Sequence, residues 1–211
     1  YCLRRWKNIF RIIIYIKIYR VSNMNQQEII DILKRRLSPQ RLQHSLGVAN
    51  VARDMAQQYG SDPDKAYTIG LLHDYAKGMS GDALLVLANE HFLIEDQVES
   101  QVPDLLHAPV GAYLLMTELG IDDPEILQAV RVHTLGSPEM SLLDKIIFLA
   151  DMIEPGRDFP GMERLQCLAK QDPDQAMLFA LDSTIRYCLE QGRILHPRTV
   201  MVRNKFLVNI K

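Results

Sequence analysis

At 211 residues, with 47% apolar and 24% charged side chains, the chain is long enough to bury one sizeable core and has the make-up of an ordinary globular domain, which excludes disordered and fibrous classes. A formal net charge of −2 leaves no broad basic surface for nucleic acid. The three cysteines, Cys2, Cys167 and Cys188, form no C-x-x-C pair, so a reducing cytoplasm is expected and a thiolate zinc site is not.

Residues 1–23 differ from the rest. They hold six cations, Arg4, Arg5, Lys7, Arg11, Lys17 and Arg20, and no acid; without them the net charge of −2 becomes −8. The longest uncharged run, Ile12 to Ile16, is far short of the roughly 20 residues a membrane span needs. No small-residue cleavage site follows, which argues against a signal peptide, and no membrane partner is expected. A basic interfacial anchor is the alternative. The preferred expectation is that Met24 is the start and that residues 1–23 are translated upstream sequence outside the fold, with 24–211 forming a single domain.

From Asn25 onward helix punctuation recurs. A capping residue precedes proline four times, at Ser38-Pro39, Asp62-Pro63, Asp123-Pro124 and Asp172-Pro173, which pre-sets the first helical turn. Gly60 and Gly192 stand where two of these helices should stop. The pattern predicts helices near 25–37, 39–59, 63–75, 81–91, 107–119, 124–133, 141–153, 173–191 and 197–207, with 92–106 and 154–163 as loops or short turns.

Four of the six histidines fall within or beside these helices. His44 lies one turn from Arg41 and from Gly47, and the missing side chain at Gly47 would let another element approach closely. His73 and Asp74 close the third helix in "LLHDYAKG". His107 precedes Pro109 at a helix start, and His133 ends the helix "PEILQAVRVHT". Asp151, in "LLDKIIFLADMIEP", follows Ile147 and Phe148 on one face, so its carboxylate should point inward. There it needs a metal ion or an arginine as partner. Taken singly, a histidine here reads as a satisfied core or surface residue, and Asp151 as an ion-pair partner or helix cap. Together they bring imidazoles and carboxylates from five helices and no thiolate, a donor set suited to iron, manganese or another divalent ion.

The order His44, His73-Asp74, Asp151 resembles the H…HD…D signature of the HD-domain metal-dependent phosphohydrolases. His107 and His133 match the subset that holds two metal ions. The segments "QRLQHSLGVANVA", "GLLHDYAKG", "LLHAPVGAYLL", "RVHTLGSPEMSLLDKIIFLADMIEPGRDFPGM" and "HPRTVMVRN" resemble the bacterial symmetrical bis(5'-nucleosyl)-tetraphosphatases of that superfamily. Leu135 departs from the pattern, at a place where a second threonine is expected. The resemblance implies an all-α, HD-domain helical bundle with a dimetal site in its core. One ion would take His44, His73, Asp74 and Asp151. The second would take His107 and His133, with Asp74 bridging the two.

Such a pair of ions, about 3.5–4 Å apart, would lower the pKa of a shared water and neutralise charge on the attacked phosphoryl group. Iron is the first expectation for the metal. The implied substrate is a dinucleoside polyphosphate such as diadenosine tetraphosphate, split symmetrically into two ADP. Asp74 and Lys77 are the candidate catalytic groups, and Lys77, Arg157 and Arg41 the candidate substrate-binding cations. Lys77 reads equally as a solvated lysine at a helix end, and Arg157 as an ion-pair partner of Asp158 or Glu154. His91 and His196 lie outside the signature and read as structural. Rival readings are another HD-domain phosphohydrolase, acting on nucleoside monophosphates, deoxynucleoside triphosphates or cyclic nucleotides, and a non-enzymatic nucleotide-sensing module. A homodimer is compatible with the sequence.

Overall fold

The computed structural model describes residues 24–210; the expectation that 1–23 lie outside the fold falls outside these residues. Among the described residues there are eleven α-helices, a 3-10 turn at Pro103–Leu106 and no strand. In chain order they are α1 (Gln26–Arg36), α2 (Pro39–Tyr59), α3 (Pro63–Leu72), α4 (Gly81–Glu90), α5 (Gln97–Gln101) and α6 (His107–Leu119). Then come α7 (Pro124–Val132), α8 (Leu142–Ile153), α9 (Met162–Gln171), α10 (Pro173–Glu190) and α11 (Pro197–Ile210). No described helix is long and apolar enough to cross a membrane.

The caps read from sequence set these starts. Ser38 accepts a hydrogen bond from the Arg41 amide, and Asp62, Asp123 and Asp172 each accept two amides of the turn they open. Each removes orphan N–H groups that would otherwise face solvent unpaired. Gly60 closes α2 in the left-handed conformation at φ 70°, where a glycine pays no steric cost.

The core is organised around α2, α3 and α8, which pack on one another, while α6 with α7 and α10 with α11 form flanking pairs. The α2–α3 crossing is unusually close. A Cβ on Gly70 would lie 2.5 Å from the Ala49 Cα, so only glycine lets the two helices meet there. Ile69, Leu71 and Leu72 are fully buried beside it, each worth about 1.5–3 kcal/mol of transfer free energy. This apolar packing fixes the C-terminal end of α3, from which His73 and Asp74 emerge.

The predicted elements differ from the structure in several places, the last helix running to Ile210 instead of 207. The third helix ends at Leu72, not 75; residues 73–78 form tight turns with bonds from Tyr75 N to Leu72 O and from Lys77 N to Asp74 O. His73 Nδ1–H takes the Gly70 carbonyl at 2.7 Å, the acceptor that the Asp74 amide would use if the helix continued, and Arg36 of α1 bonds the Tyr75 carbonyl at 2.7 Å. The 92–106 segment holds a short helix, α5, opened by an Asp96–Glu99 capping box. Helix α9 was not expected at all. It starts at Gly161 without a side-chain cap, and only Leu165 and Ala169 of it are buried.

Candidate active site

All six predicted metal-ligand side chains come together. His44 projects from α2, His73 and Asp74 from the turn after α3, His107 from the first position of α6, His133 from the end of α7 and Asp151 from the last turn of α8. Asp74 sits in the middle, 3% exposed, and its two oxygens face opposite ways. Oδ2 lies 3.4 Å from His73 Nε2 and 3.7 Å from His44 Nε2. Oδ1 lies 3.3 Å from His107 Nε2 and 3.8 Å from His133 Nε2. Asp151 Oδ1 completes the first side at 3.0 Å from His44 Nε2.

The hydrogen-bond network fixes the four imidazoles in one tautomer. Each Nδ1–H is engaged as a donor: His44 to Glu154 Oε1 at 3.0 Å, His73 to the Gly70 carbonyl at 2.7 Å, His133 to the Val130 carbonyl at 2.7 Å, and His107 to the Asp104 carbonyl. The Nε2 atoms are therefore left with lone pairs, and they meet nitrogen to nitrogen, His44 to His73 at 3.3 Å and His107 to His133 at 3.1 Å. Lone pairs and carboxylate oxygens at this spacing repel unless a proton or a cation lies among them. The donor set of four imidazoles and two carboxylates fits divalent metal ions. The Nδ1 bonds are the outer partners that such ligands need to hold their orientation.

Charge inside the cluster is strongly coupled. Burial works to raise the pKa of Asp74, but His73, His107 and His133, when they carry a proton on Nε2 in the place a cation would take, outweigh it and hold the carboxylate well below its usual range. Asp151 is likewise lowered against the effect of burial, by His44, His73 and Arg157. Burial would lower His73, yet the adjacent Asp74 raises it; in His133 burial prevails and the pKa falls.

The three candidate cations reach the cluster from different sides. Arg41 Nη1 bonds Asp74 Oδ2 at 2.9 Å. Arg157 bonds the Asp151 backbone through Nε at 2.9 Å and its carboxylate through Nη2 at 2.5 Å, so its partner is Asp151 and neither Glu154 nor Asp158. Lys77 Nζ bonds Asp104 Oδ2 at 2.6 Å and lies 3.4 Å from His107 Nδ1. A cavity of about 850 Å³ opens beside His44, walled by Arg41, Gly47, Val51, Glu154 and Arg157. That is a volume suited to a nucleotide-sized ligand.

The H…HD…D order of the cluster and the sequence matches point to one family. The chain belongs to the HD domain family. Its profile matches residues 41–156, a span that contains the whole cluster. Among proteins similar to this chain is the bis(5'-nucleosyl)-tetraphosphatase, symmetrical, of Halalkalibacterium halodurans, 41% identical over 188 residues that cover 89% of this chain and 100% of that protein. The protein of the same name from Bacillus subtilis is 37% identical over 182 residues, 86% of this chain and 97% of its own. Among solved structures, one from Clostridium acetobutylicum, described as a "predicted HD superfamily hydrolase involved in NAD metabolism", superposes with a TM-score of 0.85 at 36% identity. It covers 88% of this chain and 98% of that one.

Sequence reasoning missed two neighbours of this HD centre. Thr134 Oγ1 lies 3.3 Å from His107 Nε2 and 3.2 Å from His133 Nε2; its position directly after His133 was the available signal. Glu154 is buried against His44 and also accepts the Gly156 amide at 2.7 Å. The gap at Gly47 was its trace in the sequence: a Cβ there would lie 2.7 Å from Glu154 Oε2. The two histidines set aside as structural pack elsewhere. His91 stacks on Tyr113 at 4.1 Å, and His196 Nδ1 accepts the Arg198 amide at 3.0 Å.

Proposed function

We propose that this HD-domain protein is a symmetrical bis(5'-nucleosyl)-tetraphosphatase that hydrolyses diadenosine tetraphosphate to two ADP. The observation that carries the reading is Asp74, whose two oxygens address two separate histidine pairs, as a carboxylate shared by two ions would. It is joined by the near-full-length likeness to proteins named for that activity. His44, His73, Asp74 and Asp151 would hold one divalent ion, and His107 and His133 the other with Asp74. Iron is the first choice, with manganese or another divalent ion as alternative. When bound, two such ions supply Lewis acidity toward phosphate oxygens and lower the pKa of a nearby water.

The chain's own residues then do the positioning. The four Nδ1 bonds hold the imidazoles still, so no reorganisation is needed as charge develops. Arg41 and Arg157 border the cleft beside His44 and would draw in the polyphosphate. Lys77, on the opposite side near His107, would place its ammonium against the departing ADP and offset the charge on its terminal phosphate. Each of the three cations already rests on a carboxylate, Asp74, Asp151 or Asp104, so the phosphates compete for cations that are held in place.

The test is to incubate the purified chain with diadenosine tetraphosphate and manganese or ferrous ion and to separate the products. Two ADP supports the reading. ATP with AMP would mean cleavage at a different bond, and no turnover with metal bound would refute the substrate assignment. Asp74→Ala separates enzyme from sensor, since a sensor would keep partner binding while an enzyme loses turnover.

A further inference from the structure

We infer that Glu154 is a positioning residue for His44, holding its Nε2 toward the ion that His44, His73 and Asp151 would share. The inference rests on the metal-site reading and not on the choice of substrate. Of the four clustered histidines, three are braced by a carbonyl three residues earlier in their own segment, Gly70, Asp104 and Val130. His44 has no such brace. Its Nδ1–H donates to a carboxylate 110 residues away, Glu154 Oε1 at 3.0 Å.

The backbone around that carboxylate is shaped to admit it. A Cβ on Gly47, one turn after His44 on α2, would lie 2.7 Å from Glu154 Oε2. A Cβ on Gly156 would lie 2.8 Å from Oε1. The Gly156 amide bonds Oε2 at 2.7 Å, so the carboxylate is clamped between α2 and its own loop with one oxygen on His44 and the other on the loop backbone. At only 5% exposure it meets little water that could compete for the imidazole. A carboxylate behind a ligating imidazole fixes the tautomer and strengthens the nitrogen that faces the metal.

Position also ties this brace to the cleft. Glu154 and Arg157 lie on one turn, closed by the bond from Arg157 N to Glu154 O at 3.0 Å. The same turn thus steadies His44 through Glu154 and Asp151 through Arg157, two ligands of the same ion. His44 needs such a support because it projects from the second turn of a continuous helix, where the carbonyls behind it are already used in the helix ladder.

The experiment uses the full chain loaded with zinc or manganese and challenges it with increasing chelator, for wild type, Glu154→Gln, Glu154→Ala, Gly47→Ala and Gly156→Ala. Glu154→Gln should release one ion at a chelator concentration roughly 10–100-fold lower than wild type, with Glu154→Ala lower still. The two glycine variants keep the glutamate but crowd it, and they should also release that ion early. In the zinc-loaded chain, ring 15N shifts should report ligation of His44 through Nε2 in wild type and a mixture of Nε2 and Nδ1 in Glu154→Ala, which a purely structural role would not produce. If folded Glu154→Gln and both glycine variants hold metal as tightly as wild type, or His44 keeps pure Nε2 ligation without the carboxylate, the inference is wrong. A wild type that binds no metal would instead refute the metal-site reading beneath it.

Discussion

On one side of Asp74, His107 and His133 are each braced by a carbonyl three residues earlier, at Asp104 and Val130; on the other, His44 depends on Glu154, 110 residues away. The first side is enclosed. His107 and His133 are 4% and 3% exposed, and Thr134 lies over both Nε2 atoms. The second borders the large cleft, carries two arginines and is assembled from α2, the turn after α3, α8 and the loop after α8. Both histidines of the enclosed side are thus oriented by carbonyls of their own segments. The open side mixes the two: His73 is braced locally by the Gly70 carbonyl, and His44, the histidine that lines the cleft, is supported from a distant part of the chain.

The largest effect should come from the residue common to both sides. Asp74→Ala should lower turnover by about a thousandfold or more, and it should also empty both metal positions, as read by metal analysis of the purified variant. His133→Ala breaks the enclosed side alone. It should reduce bound metal from two ions to one per chain while the far ion stays on His44, His73 and Asp151; loss of both would show that the two sides are not separable.

The cations sharpen the comparison next. Arg157→Ala, at the open side, should chiefly raise KM, by about tenfold, whereas Lys77→Ala, near His107, should chiefly lower kcat, by about 10–100-fold. Steady-state kinetics of both variants distinguishes these outcomes, and an identical pattern in the two would remove the proposed division of labour.

The smallest effect belongs to Glu95, outside either side, which pairs with Arg131 and Arg198. Burial would raise its pKa, but the two guanidinium groups lower it below the ordinary carboxylate value. Its stabilising contribution is therefore present above that ordinary pKa and is lost as pH falls through the lowered one. Arg198→Ala should cost at most about 1 kcal/mol in urea unfolding near neutral pH, with the difference from wild type shrinking in acid, and should leave turnover unchanged.

The His/Asp cluster was legible in the sequence because each member stands in a short segment whose apolar neighbours announce an inner face, as Leu71 and Leu72 do for His73 and Asp74. The helix starts were legible for a similar reason, since Ser38, Asp62, Asp123 and Asp172 cap locally. What escaped depended on distant chain. Helix α9 has no capping side chain and a sparse buried stripe. The early end of α3 goes with His73 turning its Nδ1–H onto the Gly70 carbonyl, a bond that depends on where the imidazole is held in the cluster. Glu154 meets His44 only after α2 and α8 have packed, and Gly47 alone hinted that something would come close.

The most direct test of the shared carboxylate is anomalous diffraction from crystals of the chain grown with manganese. Two peaks are predicted, one against Asp74 Oδ2 with His44, His73 and Asp151, the other against Oδ1 with His107 and His133. A single peak, or two peaks that leave either Asp74 oxygen without a metal contact, would contradict it.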